Sequence, residues 1–267
     1  MDRCMRLIVH GPLRGSENMA IDEAILTLRP KLGLDTLRLY MWKPSAVSIG
    51  YAQSVEEAVN LEGVKRRGYD LVRRITGGGA LLHAEGLELT YSVVIHENFP
   101  GLPRDLFSSS IAIATGLVYG LRNLGLNANV RGTHDSDRAE LCYLRGGGSD
   151  VLVNGRKISG SAQRRTGKAL LQHGTLLLGL DPEAWLDTIK VPPGFKANNF
   201  KLRMTTIGWE LGRCRLNEVI NAVVKGFSEA LNVKLVEEGL NEEELKLAEA
   251  LKRKYESRDW TFQAGKR

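Results

Sequence analysis

Two glycine-rich segments that also carry fixed positive charge constrain this chain more than any other feature of its sequence. The first segment reads Arg73-Arg74-Ile75-Thr76-Gly77-Gly78-Gly79-Ala80-Leu81-Leu82-His83. The second reads Asn154-Gly155-Arg156-Lys157-Ile158-Ser159-Gly160-Ser161-Ala162-Gln163. Glycine lets a ligand approach the backbone, successive N–H groups in a turn attract an anion, and arginine or lysine completes such a site. The chain is therefore predicted to bind a small anionic molecule, with Lys157 near its reacting end.

The glycine triplet of the first segment does not match the common phosphate-binding motifs. No Gly-Lys-Ser/Thr follows it at the spacing of a Walker P-loop, and it is not a dinucleotide fingerprint. Three glycines alone also fit a flexible turn without a function. The flanking Arg73, Arg74 and His83 favour a binding role, because a plain turn has little need of two arginines and a histidine.

Hydrophobic periodicity predicts an α+β protein with a mixed sheet flanked by helices. An Asn-Gly pair between two apolar runs predicts a hairpin at Asn154-Gly155. Strands are predicted over residues 7–9, 36–42, 46–51, 69–74, 87–95, 150–153, 156–159 and 169–178. Helices are predicted over 16–29, 55–67, 107–124, 215–231 and 242–255, and the aromatic tail 260–262 is expected to pack against the body. No linker or repeat is visible, so we expect a single catalytic domain over residues 1–267 without a C-terminal accessory domain.

Charge and cysteine usage narrow the class of protein. The 267 residues carry a formal net charge of +6, which suits an acidic partner such as a nucleotide or an acidic protein, although many proteins are mildly basic. No stretch combines dense basic residues with aromatics, so nucleic acid is not an expected partner. Three widely spaced cysteines fit neither a disulfide framework nor a zinc site and favour the cytoplasm. No signal peptide or apolar membrane span is visible in the sequence.

Four single residues are candidates for chemistry, each with a plainer alternative. Lys157 could hold a carboxylate and stabilise negative charge on a carbonyl oxygen, although most lysines are solvated surface charges. Asp150 could bind a divalent cation or a ribose, or could be an ordinary turn residue. His173 fits a site residue or a hydrogen-bonded core histidine. Cys142 could be a small hydrophobic residue or, near arginines and glycine-rich turns, a nucleophile.

Elements spread over almost the whole chain resemble the lipoate–protein ligase A and octanoyltransferase superfamily, which is related to biotin protein ligases. The arginine–triple glycine–histidine element matches residues 73–83, and the lysine element matches 155–163. The remaining matches are Asn18-Met19-Ala20-Ile21-Asp22-Glu23-Ala24, Ser48-Ile49-Gly50-Tyr51, Leu89-Thr90-Tyr91-Ser92, Gln172-His173-Gly174-Thr175 and the ending from Lys254-Tyr255 to Trp260-Thr261-Phe262. The resemblance implies a class II synthetase or biotin-ligase-like catalytic domain.

The resemblance also implies a reaction and its participants. Lipoate or octanoate reacts with ATP and Mg²⁺ to give an acyl-adenylate. The acyl group then passes to a lysine of a lipoyl domain, as in the E2 subunit of 2-oxoacid dehydrogenases or the glycine cleavage H protein. Lys157 would contact the carbonyl and phosphate side, Arg74 and His83 would border the acyl pocket, and Asp150 would lie near the nucleotide and its magnesium. The full set of expected binding residues is Arg73, Arg74, Thr76, Gly77, Gly78, Gly79, Ala80, His83, Asp150, Ser159, Gly160, Ser161, Ala162 and His173.

Two further functions stay open within the resemblance. In cysteine-dependent octanoyltransferases a cysteine lies 15 residues before the lysine, and Cys142 has this spacing to Lys157. Those enzymes take octanoate from acyl carrier protein as a thioester, without ATP. The complete glycine triplet and the long connection from His83 to Thr90 favour the ligase, whereas Ser149 replaces a usual asparagine of ligases. A ligase without an accessory domain would call for a separate small subunit. A non-catalytic binding module is the third possibility, although it has no need of Lys157.

Overall fold

An eight-stranded mixed sheet organises residues 3–133 and 146–263, the part of the chain that the computed structural model describes. Its strands are β1 Cys4–Leu13, β2 Thr36–Trp42, β6 Glu88–His96, β7 Ala128–Val130, β8 Val151–Val153, β9 Arg156–Arg165, β10 Ala169–Leu177 and β11 Lys234–Glu237. The strand order is β11-β1-β2-β6-β10-β9-β8-β7. Strand β1 is parallel to both β11 and β2, and every pairing from β2 to β7 is antiparallel.

A second sheet of three short strands carries the first glycine-rich segment. Its central strand is β3 Ala46–Ile49, which is parallel to β4 Asp70–Arg73 and antiparallel to β5 Leu81–His83. The glycine triplet connects β4 to β5, on opposite sides of β3. Because three strands converge there, the loop is anchored at both ends.

Helices cover both faces of the large sheet, as the sequence predicted. Helix α1 Gly15–Leu32 packs with α9 Glu242–Glu256 on one face, and α4 Leu106–Asn123 packs with α8 Leu216–Leu231 on the other. Shorter helices complete the structure: α2 Val55–Ala58, α3 Leu61–Arg67, α5 Pro182–Thr188, α6 Ala197–Arg203, α7 Ile207–Leu211 and α10 Arg258–Gln263. No helix among the described residues is long and apolar enough to cross a membrane.

Strand β6 at the centre of the sheet divides the interior into two environments. Leu89, Tyr91, Val93 and Ile95 belong to the core shared with α4 and α8. On the other face Thr90 and Ser92 are buried polar residues. Because side chains alternate along a strand, the polar positions all reach the side covered by α1. A buried polar surface of this kind requires hydrogen-bond partners. Asp22 of α1 accepts from Ser92, whereas Thr90 donates to Glu88 and accepts from Trp42.

Some predicted elements need correction. Residues 55–67 were expected to form one helix, but α2 ends before Val59, which forms a bridge to Ile189, and α3 begins after Asn60. The Asn60 side chain accepts from the Gly63 N–H and so caps the new helix. Periodicity also missed β5, β7, β11, α5, α6, α7 and α10, all of which are short. The Asn154-Gly155 hairpin is confirmed, with φ of 51° and 77° at the two residues.

Candidate active site

The two glycine-rich segments line a single cavity of about 190 Å³. Gly78 and Gly79 contribute from the connection between β4 and β5. Lys157, Gly160 and Ser161 contribute from β9, together with Ala162. Although about 80 residues of sequence separate the two segments, the pairing of β9 with β10 and of β10 with β6 brings them together.

Side chains from β2 and α1 form a wall of this cavity that the sequence analysis did not include in the site. Tyr40 and Trp42 lie on β2 and Met19 lies on α1. Their alternation and helical spacing predict a strand over 36–42 and a helix over 16–29, and such periodicity does not distinguish a core position from a cavity wall. The other lining residues missing from the predicted set are Ser48, Leu81, Thr90, Gly147, Gly174 and Thr175. Ser48, Thr90, Gly174 and Thr175 lie in the motifs that carried the family resemblance.

Lys157 and Asp150 form a buried ion pair at the wall of the cavity. The distance from Lys157 Nζ to Asp150 Oδ1 is 3.0 Å, and the side chains are 6% and 4% exposed. The Gly147 N–H donates to Asp150 Oδ2 at 2.9 Å. Burial raises the pKa of Asp150 above its ordinary value, while the Lys157 ammonium opposes that rise. The pair places an ammonium group at the cavity wall. Its hydrogen bonds are strong there because the buried environment has a low dielectric constant.

Asp150 is predicted to lie near a nucleotide and its magnesium, and in the structure it has partners within the protein. Both of its carboxylate oxygens have partners within the protein, Lys157 on one side and the Gly147 N–H on the other. Within residues 3–133 and 146–263 no group of three histidine, cysteine, aspartate or glutamate side chains is arranged to hold a metal ion. Because nucleotide-bound Mg²⁺ is usually held by one or two carboxylates and the phosphates, a magnesium contact of Asp150 stays a prediction.

Arg74 holds the glycine-rich loop in place through its carbonyl groups. Its guanidinium donates to Gly77 O at 2.8 and 3.1 Å and to Gly79 O at 2.8 Å. It also donates to the Ser48 carbonyl and hydroxyl. Because the carbonyls point to Arg74, the loop conformation is held by charge-assisted hydrogen bonds. Arg74 lines the cavity and so combines a structural role with a position beside any bound ligand.

His83 lies in a second polar network on the same cavity. Its Nδ1 is 2.7 Å from Glu88 Oε1 and its Nε2 is 2.8 Å from Ser48 Oγ. The imidazole stacks on Trp42, with ring centroids 3.8 Å apart. Thr90 donates to the same Glu88 oxygen and accepts from the Trp42 indole N–H. These contacts hold the imidazole in one orientation, with a carboxylate as the partner of Nδ1.

Five of the predicted binding residues do not line the cavity. Arg73 differs most, because its guanidinium donates to the carbonyls of Gly50, Tyr51, Gln53, Trp260 and Thr261. It joins the loop after β3 to helix α10 rather than facing a ligand. The others outside the lining are Thr76, Gly77, Ala80 and Ser159. Cys142, the candidate nucleophile, lies outside the described residues.

Gly50 is required for the observed position of the glycine-rich loop. A Cβ at this residue would lie 2.0 Å from Gly78 O, a backbone atom that cannot move without the loop. We therefore expect Gly50→Ala to displace the loop and to lower kcat/KM by about 100-fold, the cost of a misplacement near 1 Å. Steady-state kinetics of the acyl transfer that the family resemblance implies measure this effect.

The matched control for Gly50→Ala is Gly11→Ala on β1, where an added Cβ meets nothing within 4 Å. Both variants receive the same methyl group. An equal loss of kcat/KM in both would therefore come from the substitution itself and not from the contact with the loop. Wild-type kinetics in Gly50→Ala would contradict the assigned role of this close approach.

The chain is similar to members of one enzyme family over most of its length. The family model of the lipoyl protein ligase A/B catalytic domain matches residues 14–228. Octanoyltransferase LipM of Kyrpidia tusciae is 37% identical over 274 residues, which cover 96% of this chain and 98% of the relative. Octanoyltransferase LipM of Symbiobacterium thermophilum is 38% identical over 98% of this chain and 99% of its own length.

Solved structures of ligases share the same fold. The crystal structure of a lipoate-protein ligase A bound with ATP is 30% identical and superposes with a TM-score of 0.84, covering 98% of this chain and 99% of its own. A bi-partite lipoate protein ligase of Thermoplasma acidophilum, studied with its E2 lipoyl domain, is also 30% identical. Its TM-score is 0.82, with 99% of this chain and 98% of that chain covered. These matches confirm the predicted α+β architecture.

Proposed function

The chain belongs to the lipoyl protein ligase A/B catalytic-domain family, and we propose that it moves an octanoyl group from acyl carrier protein to a lysine of a lipoyl domain. The observation that carries the proposal is the similarity to octanoyltransferases, 37% identical over 96% of this chain. This similarity favours the transferase over the ATP-dependent ligase that the sequence analysis preferred. The ligase becomes the second candidate.

The shape and chemistry of the cavity support an acyl substrate. Met19, Trp42 and Leu81 give it an apolar wall, which suits a saturated hydrocarbon chain. Lys157 and the glycine-rich loop supply polar groups where the carbonyl end would lie. An apolar pocket with a few convergent polar groups is the usual form of a small-molecule site.

In the first step, Cys142 takes the acyl group from its carrier. The Cys142 thiolate attacks the thioester carbonyl, a new carbon–sulfur bond forms, and the bond to the carrier sulfur breaks. The carrier leaves as a thiolate and takes up a proton from solvent. The support for Cys142 is its spacing of 15 residues from Lys157 and the similarity to octanoyltransferases.

In the second step, the acyl group passes to the acceptor. The neutral amine of a lipoyl-domain lysine attacks the Cys142 thioester, a carbon–nitrogen bond forms, and Cys142 leaves as a thiolate while the amine loses a proton. Both steps pass through a tetrahedral oxyanion. We assign to Lys157 the hydrogen bond that stabilises this oxyanion. The support is its place on the cavity wall beside Asp150.

The second candidate is the ligase, which would use lipoate or octanoate with ATP. It is favoured by the similarity to a lipoate-protein ligase A whose crystal structure contains ATP, and by the complete triplet Gly77-Gly78-Gly79. The T. acidophilum relative is a bi-partite ligase, so the ligase hypothesis includes a separate small subunit. For both candidates we propose lipoyl domains, such as those of E2 and H proteins, as the acceptors.

Supplying different donors to the same acceptor separates these candidates. The purified chain and a lipoyl domain receive octanoyl-acyl carrier protein in one tube, and octanoate or lipoate with Mg-ATP in another, with and without an accessory subunit. We expect acylated lipoyl domain, measured by intact mass, in the first tube alone. Product only in the ATP tube would refute the transferase and support the ligase. Binding of the lipoyl domain without product in either tube would refute both and indicate a binding module.

A further inference from the structure

Asp22 on α1 is a buried carboxylate that accepts hydrogen bonds from several side chains around the cavity. Arg38 and Ser92 donate to its Oδ1 at 2.8 and 2.9 Å. Tyr40 donates to its Oδ2 at 2.9 Å, and His173 Nδ1 is 3.1 Å from the same oxygen. These residues come from α1, β2, β6 and β10. Asp22 lies in one of the motifs of the sequence, yet the proposed reaction gives it no role.

The protonation states of Asp22 and His173 follow from their surroundings. Burial by itself would raise the pKa of Asp22, but Arg38 and His173 outweigh it and the net pKa is lowered. Burial lowers the pKa of His173 more than Asp22 raises it, and the nearby Arg74 and His83 lower it further. At neutral pH the aspartate is therefore ionised and the imidazole is neutral.

These states determine which histidine nitrogen carries the proton. An ionised carboxylate can only accept, so His173 Nδ1 must be the protonated nitrogen and must donate to Asp22. In the neutral ring Nε2 is then an acceptor. The group 2.7 Å from Nε2 is the Thr76 hydroxyl, which consequently donates to it. Thr76 is the first residue of the loop 76–79, and its carbonyl also accepts from the Tyr51 N–H.

We propose that Asp22 is a positioning residue that holds the loop 76–79 against the cavity by keeping His173 in its Nδ1–H form. The chain of contacts runs from Asp22 through His173 to Thr76, and the loop then presents Gly78 and Gly79 to the cavity. Asp22 does not line the cavity, and it reaches the loop through His173. The inference rests on the proposed function, because the position of the loop affects turnover only if the acyl group binds beside it.

Asp22→Asn tests this role because it keeps the shape and removes the charge. The amide introduced by this substitution would offer a donor in place of one acceptor. Arg38 can only donate, so the amide oxygen stays at the Oδ1 position and the amide nitrogen faces His173. Nδ1 must then accept and the proton must move to Nε2, which reverses the hydrogen bond to Thr76. We expect ¹⁵N NMR of the imidazole to show the Nδ1–H form in wild type and the Nε2–H form in Asp22→Asn. We also expect kcat to fall about tenfold with little change in KM.

Thr76→Val provides a second measurement that does not depend on Asp22→Asn folding. It removes the hydroxyl that His173 holds, so kcat should fall by a similar factor while the Nδ1–H form persists. The double variant should be no slower than the slower single variant, because both act on one contact chain. Ser92→Ala is the matched control: it removes a hydrogen bond to Oδ1 of Asp22 and leaves the Oδ2 contact with His173, so tautomer and kcat should stay as in wild type.

The outcomes separate this inference from the proposed function. An Nε2–H or doubly protonated His173 in the wild type, an unchanged tautomer in folded Asp22→Asn, or full activity in Thr76→Val would overturn the positioning role. Failure of wild type to transfer octanoate would overturn the proposed function instead. The imidazole spectra do not require turnover, so they report on Asp22 in either case.

Discussion

Lys157→Met should lower acyl transfer by about 100- to 1,000-fold, the usual cost of removing one oxyanion donor. Methionine has a similar length and no charge, so it fills the same volume without donating a hydrogen bond. The loss should appear in kcat, because the apolar wall that binds the chain is unaffected. Single-turnover transfer of octanoate to a lipoyl domain measures it.

Stability has to be separated from chemistry in this variant, because Lys157 is the partner of a buried carboxylate. Leaving one buried charge unpaired costs about 3–5 kcal/mol. Burial already raises the pKa of Asp150, so without Lys157 this carboxyl can take up a proton and limit the cost. The double variant Lys157→Met/Asp150→Asn removes both charges and should restore the free energy of unfolding without restoring activity.

The charge-retaining variant adds a further control. Lys157→Arg keeps a cation beside Asp150 but places planar donors in a site shaped for a compact ammonium. It should fold with a stability near that of wild type and remain well below wild type in kcat. Normal turnover by Lys157→Met would contradict the oxyanion role assigned to Lys157.

Cys142→Ser should lower transfer from octanoyl-acyl carrier protein by as much as roughly 10⁶-fold, the scale seen when an enzyme nucleophile is removed. Serine keeps the size of the side chain but is a far weaker nucleophile than a thiolate at neutral pH. Incubation of wild type with the acyl donor alone should add the mass of one octanoyl group. Peptide mapping should place this group on Cys142, and neutral hydroxylamine should remove it.

The other two cysteines serve as matched controls for this experiment. Cys4 and Cys214 are both exposed, so they are accessible to any non-specific acylation. Cys4→Ser and Cys214→Ser should keep full activity and the same acyl adduct. An active Cys142→Ser enzyme, or an acyl group on Cys4 or Cys214, would be incompatible with the thioester route and would favour the ligase.

Much of the sheet could be predicted from the sequence because its signals are local. The alternation along β6 assigns Leu89 to one face and Thr90 to the other, and the structure confirms it. The Asn154-Gly155 turn is set by two residues that tolerate positive φ. Short elements such as β5 were missed because three residues carry too little periodicity to distinguish a strand from a loop.

The adjacent arginines of the first segment differ in a way that local sequence does not predict. The sequence assigns both Arg73 and Arg74 to binding. In the structure Arg74 lines the cavity, whereas Arg73 donates to carbonyls as distant in sequence as Thr261. Neighbouring side chains on an extended backbone point to opposite sides. Which side faces a ligand depends on α10, which lies almost 190 residues further along the chain.

The groups available for chemistry can be predicted from local sequence: two glycine-rich loops, one ammonium at Lys157 and the hairpin that carries it. Those features depend on residues within a few positions of one another, where steric limits on the backbone act directly. The folded chain adds three observations: both loops line one cavity, Asp150 pairs with Lys157, and Asp22 contacts His173. The first and the last of these join distant parts of the chain through the strand order of the large sheet, which no local pattern encodes. Asp150 and Lys157 are close in sequence and meet where β8 pairs with β9.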